Sequence, residues 1–346
     1  MRKKWGIILG LTGMMLLGSQ SIYAAEAADG TAETTDAANE KETAGTDDIE
    51  SRIKKGGFTA GVSVHDPSVI KDNDTYYIFG SHMESAKSTD LKNWTGFSSG
   101  VNAENKLFDN LFDGEEDGDP AAFTYVGKNE EGGYSVWAPD VIYNKKMGKY
   151  VMYFCTTSSY VKSNICFATA DDIEGPYHYE DTFLYSGYSY HDVKESNIEE
   201  LMGTDPRPYT AASYDNNNWP NCIDPDVFYD EDGRMWMVYG SWSGGIFLIE
   251  IDEETGYPIY PEADEENHVD SYYGKKLLGG YHNSIEARIL CMIRPADIII
   301  CFYLTEICRQ KAVIRCVFSV VILWTELIQM QQGRICIYLW SIRIMD

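Results

Sequence analysis

The sequence is poor in cysteine, in basic residues and in helical periodicity, and each shortage excludes a class of protein. Only Cys155, Cys166 and Cys222 precede residue 288, so the chain is not a disulfide scaffold. Cys155 and Cys166 either meet across a hairpin or remain buried thiols. The chain has 28 Lys and Arg against 54 Asp and Glu, for a formal net charge of −26. Such a chain repels phosphate backbones, so we expect no nucleic-acid partner.

The first 57 residues have the composition of an export signal followed by a spacer. Three basic residues at positions 2–4 precede an apolar run from Trp5 to Leu17, and small residues follow at Ala24 and Ala25. This pattern predicts a signal peptide over 1–25, since the run is too short to span a bilayer. Residues 26–57 predict a disordered acidic linker. We therefore expect a secreted, extracellular protein with no membrane association after signal cleavage.

One pattern recurs: a strand entered through an acidic motif, a turn of Asn, Asp or Gly, and an aromatic strand. It occupies 65–80, 137–154 and 223–240, and a fourth copy begins at residue 283. The acids are Asp66, Asp140, Asp224 and Glu286, and we expect them at the same place in each unit. Repeated hairpins of this kind predict an all-β propeller, whose inner strands line a central channel. The acids should therefore converge on one funnel.

These motifs resemble glycoside hydrolase family 43, whose members are five-bladed propellers that cleave arabinan and xylan side chains. The resemblance covers roughly residues 58–287. It rests on the segments His65-Asp66-Pro67-Ser68, Trp137-Ala138-Pro139-Asp140, Ile223-Asp224-Pro225-Asp226 and Ser284-Ile285-Glu286-Ala287. Residues 240–246 are also similar to the arabinanase branch of the family. The resemblance implies a five-bladed propeller over 58–287, incomplete here, with about four blades of which the fourth is truncated.

The resemblance also implies a role for individual residues. Asp66 would be the general base that activates water, and Glu286 the general acid that protonates the leaving oxygen. Asp224 would hold Glu286 in place and raise its pKa. The implied substrate-binding residues are Trp137, Asp140, Ser241 and Trp242. No metal ligand is assigned; the resemblance implies a central Ca²⁺, but its late histidine motif is missing in this reading frame.

The residue types suit an inverting glycosidase. Such an enzyme needs two carboxyl groups about 6.5–9.5 Å apart, so that a water molecule fits on the face opposite the leaving group. One group must be ionised and the other protonated, and a neighbouring carboxylate favours the protonated form of the acid. We therefore expect hydrolysis of α-1,5-linked L-arabinan, a plant cell-wall polysaccharide, by inverting acid/base catalysis.

Residues 288–346 break this pattern. The last 60 residues hold five of the eight cysteines but only one of the 30 glycines. Re-reading 301–319 one base out of register gives Phe-Leu-Ser-Tyr-Gly-Asn-Leu-Gln-Ala-Lys-Gly-Gly-Tyr-Gln-Val-Arg-Val-Phe, a strand, a turn and a strand. We therefore hypothesise that a base is lost at the codon after Ala287 and that 288–346 form an out-of-frame tail with an irregular or poorly packed backbone. A genuine divergent tail is the alternative.

Other functions stay open at this point. An exo-acting α-L-arabinofuranosidase or β-xylosidase of the same family would use the same acids, and loop lengths do not separate these enzymes from an endo-acting one. A non-catalytic sugar-binding propeller would not need all three acids. An inactive truncated product is the remaining alternative, because the tail interrupts the fourth repeat.

Overall fold

The structure is a computed structural model that describes residues 61–115, 118–202, 209–210, 213–283, 285–293, 298–306 and 316–324. The predicted signal peptide and acidic linker lie outside these residues. Antiparallel sheets account for most of the regular structure. Within the described residues there is one short α-helix, α1 (Ile198–Met202), and three single turns of 3-10 helix, Ser81–Met83, Ala121–Phe123 and Val193–Glu195. None of the described helices is long and apolar enough to cross a membrane.

Two four-stranded meanders, each paired in chain order, form the first part of the fold. Blade I consists of β1 (Ser68–Asp72), β2 (Thr75–Gly80), β3 (Glu84–Ser88) and β4 (Thr95–Ser98). Blade II consists of β5 (Val136–Asn144), β6 (Lys149–Ser159), β7 (Lys162–Ala170) and β8 (His178–Ser186). The turn predicted after Lys71 is a two-residue hairpin loop, in which Asn73 adopts the left-handed conformation such loops favour.

Two further sheets follow. Blade III has the order β13-β14-β11-β10-β9, and β12 pairs with β11 at its side. Its strands are β9 (Asp226–Tyr229), β10 (Met235–Tyr239), β11 (Ile246–Ile251), β12 (Pro258–Ile259), β13 (Val269–Asp270) and β14 (Gly274–Leu278). Sheet IV contains β15 (Glu286–Ile293), β16 (Ile298–Glu306) and β17 (Cys316–Trp324).

The first strands of the four sheets are neighbours. Strand β1 contacts β5, β5 contacts β9, and β9 contacts β15. Inner strands arranged in this way around an axis define the blades of a propeller. The all-β, incomplete propeller expected from the sequence is therefore confirmed, with three blades and a fourth, three-stranded sheet described.

The backbone of sheet IV corrects one expectation. We expected the fourth repeat to end just after its acid and residues 288–346 to be irregular or poorly packed, and the described strands bear only on the first of these two alternatives. Instead, β16 pairs with β17 in unbroken antiparallel register from Ile298–Trp324 to Glu306–Cys316. The physical reason is that strand pairing uses backbone groups, which any reading frame supplies, and these segments are rich in Ile and Val, which favour strands.

The core lies between the blades and is dominated by aromatic side chains. Between blades II and III, the Tyr273 hydroxyl lies 3.0 Å from that of Tyr188 and accepts a hydrogen bond from Tyr214. The Tyr239 hydroxyl donates to the Tyr273 carbonyl oxygen at 2.8 Å. All four tyrosines are buried, and these bonds satisfy hydroxyl groups that would otherwise be costly to bury. The tyrosine-rich composition therefore serves packing first.

The three cysteines before residue 288 are buried free thiols. Cys155 and Cys166 lie on the neighbouring strands β6 and β7, but Cys155 faces Ile165 and Cys166 faces Phe154 in the register. The hairpin disulfide is therefore not formed, and the buried-thiol alternative holds.

Candidate active site

Three non-glycine residues near the starts of the first strands of blades I to III have a strained backbone: Asp66 and Asp224 precede β1 and β9, and Ala138 lies near the start of β5. Asp66, Ala138 and Asp224 have φ angles of +52°, +42° and +55°, and each directly precedes a proline. Non-glycine residues rarely adopt this left-handed conformation. The shared geometry makes these three positions structurally equivalent. Asp140 lies two residues beyond Ala138, so the expectation that all the acids occupy the same place in each unit is wrong.

Asp66 is held by its neighbours on two sides. The buried Ser81 hydroxyl donates to Oδ2 of Asp66 at 3.0 Å, and Nδ1 of His65 lies 2.7 Å from the same oxygen. Ser81 also accepts a hydrogen bond from the Ala138 backbone N–H at 3.0 Å. The carboxylate of blade I is therefore fixed relative to the first strand of blade II. Sequence reasoning missed Ser81, because a serine after a strand carries no local signal of this contact.

The buried thiol of Cys155 on β6 is influenced by the charges of Asp224 and Asp66. Burial raises the pKa of this thiol well above its usual value, and the charges of Asp224 and Asp66 raise it further. The thiol lies 3.3 Å from the Trp137 carbonyl oxygen, to which it donates. Asp224 is itself buried, with 7% of its surface exposed. Two of the three predicted catalytic acids therefore act on the same buried thiol of blade II.

The backbone of Glu286 begins β15, which contacts β9 just after Asp224. The Trp242 N–H donates to the Ile285 carbonyl oxygen at 2.7 Å, and the Gly240 N–H donates to Ile223 at 2.9 Å. The β10–β11 connection, 240–245, therefore bridges the strand entries that carry Asp224 and Glu286. This bridge brings the third predicted acid to the same end of the propeller.

The predicted substrate-binding residues differ in their surroundings. Trp137 keeps 38% of its surface exposed at the start of β5. Ser241 is buried, and Trp242 adopts a left-handed conformation with φ of +37° in the connection that bridges the strand entries. Trp137 can offer an aromatic face to a sugar, whereas Ser241 shapes the connection from within. Their roles in binding stay predictions.

The carboxylate of Asp140 is hydrogen-bonded to the backbone of blade III. Its Oδ2 accepts the Val227 backbone N–H at 2.7 Å, which joins β5 to β9. Burial, and secondly the charge of Asp226, raise the pKa of Asp140 to about 7. A carboxyl group so placed can hold a proton at neutral pH. Its geometry suits a link between blades, and its predicted role in sugar binding is not tested.

The described residues contain no group of three or more His, Cys, Asp or Glu side chains able to hold a metal ion. The central Ca²⁺ that the resemblance implies stays an expectation. The chemistry considered below uses only the side chains of this chain.

The fold and the acid-bearing strand entries define a propeller protein with carboxyl groups gathered at one end of its blades. Residues 60–194 match the family described as Glycosyl hydrolases family 43. This part of the chain is similar to that family.

Curated relatives extend the match. The chain is 40% identical over 227 residues, or 65% of its length, to extracellular endo-α-(1→5)-L-arabinanase 2 of Bacillus subtilis. It is 37% identical over 224 residues to the corresponding extracellular endo-arabinanase of Thermotoga petrophila, covering 64% of this chain. In both cases it covers 41% of the relative, so the chain spans less than half the length of these proteins.

Solved structures show the same fold. A glycoside hydrolase family 43 protein from Bacillus licheniformis superposes with a TM-score of 0.58 at 37% identity, covering 75% of this chain and 51% of that one. Endo-1,5-α-L-arabinanase from Thermotoga petrophila superposes with a TM-score of 0.59 at 31% identity, covering 77% and 52%. The matched part of this chain thus corresponds to about half of each relative.

Proposed function

We propose that this chain is part of a secreted glycoside hydrolase that cleaves α-1,5-linked L-arabinan with inversion of configuration. Asp66 acts as the general base, Glu286 as the general acid, and Asp224 positions Glu286. The observation that carries the proposal is the shared left-handed backbone of Asp66 and Asp224 just before β1 and β9, together with the β10–β11 connection that bonds to Ile223 and Ile285 beside Asp224 and Glu286. The similarity to proteins named extracellular endo-arabinanases supports the substrate and the secretion.

The geometry explains how a water molecule would be activated. The hydrogen bond from Ser81 and the contact with His65 fix Oδ2 of Asp66. The orientation of the carboxylate is therefore defined before substrate binds. A preorganised base avoids reorganisation in the transition state. Glu286, on the opposite side of the scissile bond, donates its proton to the leaving oxygen. The products are the leaving chain, which carries a free hydroxyl group, and a sugar whose anomeric carbon has the inverted configuration.

An endo-acting enzyme is favoured over the exo-acting alternatives by the names of the relatives, which are endo-arabinanases. An α-L-arabinofuranosidase or β-xylosidase would use the same acids but release single sugars. The length of the first products from linear arabinan separates these activities. A propeller that binds sugar without cleaving it would yield no product.

The test measures hydrolysis of linear α-1,5-arabinan by the chain with one base restored after the Ala287 codon, with the 346-residue chain assayed in parallel. We expect oligosaccharides first, and NMR of the nascent reducing ends should show inverted anomers. The matched control is Glu286→Gln, which keeps the size of the side chain but cannot donate the proton. Retained anomers would contradict the assigned mechanism, and turnover by Glu286→Gln equal to that of the parent would contradict the assigned acid.

A further inference from the structure

An exposed tyrosine is held rigidly at the tip of the β6–β7 hairpin. Tyr160 keeps 61% of its surface exposed. Its hydroxyl nevertheless lies 2.8 Å from Nδ1 of His282 and 3.2 Å from Oγ of Ser243. Long surface side chains usually keep their rotamer freedom, and ordering one opposes folding. A hydroxyl fixed at two points therefore presents the Tyr160 ring to solvent in one orientation.

The partner, His282, is fixed in turn. Its backbone N–H donates to the Ser243 carbonyl oxygen at 3.2 Å, and Nε2 lies 3.3 Å from Oδ1 of Asn216. A neutral ring with hydrogen on Nε2 satisfies both contacts, because it donates to Asn216 and accepts from Tyr160. The rings of Tyr160 and His282 lie 5.9 Å apart with an interplanar angle of 33°. We call these two rings the Tyr160 clasp.

The clasp lies at the same end of the blades as the catalytic acids. Strand β6 runs antiparallel to β5, so the hairpin after Ser159 lies at the end where β5 begins. Ser243 belongs to the connection that bridges the strand entries, and His282 lies four residues before Glu286. The clasp thus spans blades II and III beside the proposed groove.

A second exposed aromatic residue adjoins the clasp. Tyr281 keeps 73% of its surface exposed, and its backbone N–H donates to the Asn217 carbonyl oxygen at 2.9 Å. Exposed aromatic faces beside hydroxyl, imidazole and amide groups suit a ligand that has both apolar C–H faces and hydroxyl groups. A formal net charge of −26 disfavours polyanions, so the matching ligand is a neutral glycan.

We propose that Tyr160, Tyr281 and His282 form an outlying subsite that binds an arabinofuranosyl unit of the substrate chain away from the scissile bond. This inference rests on the proposed function and deepens it. The ring of Tyr160 contacts the C–H face of the sugar, and the polar groups of the clasp bind its hydroxyl groups. A subsite of this kind lengthens the stretch of arabinan that the protein recognises.

The test measures binding of α-1,5-arabinooctaose and arabinobiose by calorimetry, and of linear arabinan by affinity electrophoresis. The parent is the chain with one base restored after the Ala287 codon, and the soluble fraction of the 346-residue chain is measured in parallel. Tyr160→Ala should raise the Kd for the octaose about five-fold, since it removes one aromatic contact, and leave the Kd for the biose unchanged. Tyr160→Phe keeps the ring and should lose less. The matched control is Tyr143→Ala, an exposed tyrosine at the opposite end of the same sheet.

The outcomes separate the two proposals. Unchanged octaose binding by Tyr160→Ala, with normal binding by the parent, overturns the subsite and leaves the proposed function standing. Equal weakening of octaose and biose, or an equal effect of Tyr143→Ala, also overturns the subsite, because both results indicate a general structural effect. A parent chain that binds neither arabinan nor its oligosaccharides overturns the subsite together with the proposed substrate.

Discussion

At the scale of single residues, the left-handed aspartates are the most informative feature of the candidate site. Placing a non-glycine residue in this conformation costs about 1–2 kcal/mol, and such strain gathers at functional sites. Asp66 and Asp224 both accept it, each just before a proline. Asp and Asn tolerate this conformation better than other non-glycine residues, because their short polar side chains can bond locally. Asparagine is therefore the substitution that separates chemistry from folding.

The first prediction concerns Asp66→Asn in the chain with its frame restored. The amide keeps the backbone conformation and can still accept the hydrogen bond from Ser81, so the thermal midpoint should change little. The base is lost, so kcat for arabinan should fall by about 10²–10⁴. Thermal unfolding and product release measure the two effects. The control is Asp109→Asn, an exposed acid paired with His178 on blade II, which should leave kcat unchanged. Normal turnover by Asp66→Asn would show that another group activates water.

Short Asp-Pro motifs predicted the equivalent backbone positions of Asp66 and Asp224, and the roles of these residues stay predictions. The predicted place of Asp140 is wrong although the sequence already differs there, since Asp140 follows Pro139 whereas Asp66 and Asp224 precede Pro67 and Pro225. The contacts of Ser81 and of the Tyr160 clasp could not be predicted from the sequence. Their contacts join residues far apart in the chain, such as Tyr160 and His282, and no local pattern encodes such a pair.

At the scale of strands, Asp140 links β5 to β9 through the Val227 N–H. Burial and the charge of Asp226 raise the pKa of Asp140 to about 7, above its ordinary value of 3.8. The folded state therefore binds a proton more tightly than the unfolded state. Stability from this group is fully present below about pH 4 and is lost as the pH rises through about 7.

The second prediction follows from this sign. Asp140→Asn replaces the carboxyl by a neutral amide of the same shape, whose oxygen can accept the Val227 N–H. The free energy of unfolding of the parent should fall between pH 5 and pH 8 by more than that of the variant. Urea unfolding at several pH values measures the difference. A parallel pH dependence in both proteins would mean that Asp140 is ionised throughout, and Asp172→Asn on the surface provides the control.

Strands can also form where the sequence predicts none. The expectation of an irregular tail rested on its single glycine and its missing turn motifs. The strands β16 and β17 show that Ile- and Val-rich segments pair regardless of such motifs. What distinguishes a native blade is the burial of its faces against neighbours, which composition alone does not reveal.

At the scale of the whole molecule, the residues at the start of each blade's first strand indicate whether the chain after Ala287 is read in the correct frame. Blade II has Ala138-Pro139 near the start of β5, with the alanine in the left-handed conformation, and the resemblance implies a similar Ala-Pro pair at Ala287. The chain has Arg288 there. The curated relatives match 227 and 224 residues, close to the length of 58–287. We therefore propose that residues 288–346 are read out of frame and that the fourth and fifth blades are not those of the family.

A propeller closes only when its last blade packs against its first, and each missing blade uncovers apolar faces worth roughly 25 cal/mol per Å². Net stabilities are only about 5–15 kcal/mol, so an unclosed ring is readily unfolded or aggregated. The third prediction compares the 346-residue chain with a version in which one base is restored after the Ala287 codon. We expect the restored protein to give a larger soluble fraction, a higher thermal midpoint and faster hydrolysis of arabinan. Sequencing the gene across this codon is the direct check. Equal solubility, stability and hydrolysis from both versions would show that residues 288–346 are a functional part of the enzyme, because sheet IV would then close the ring as it stands.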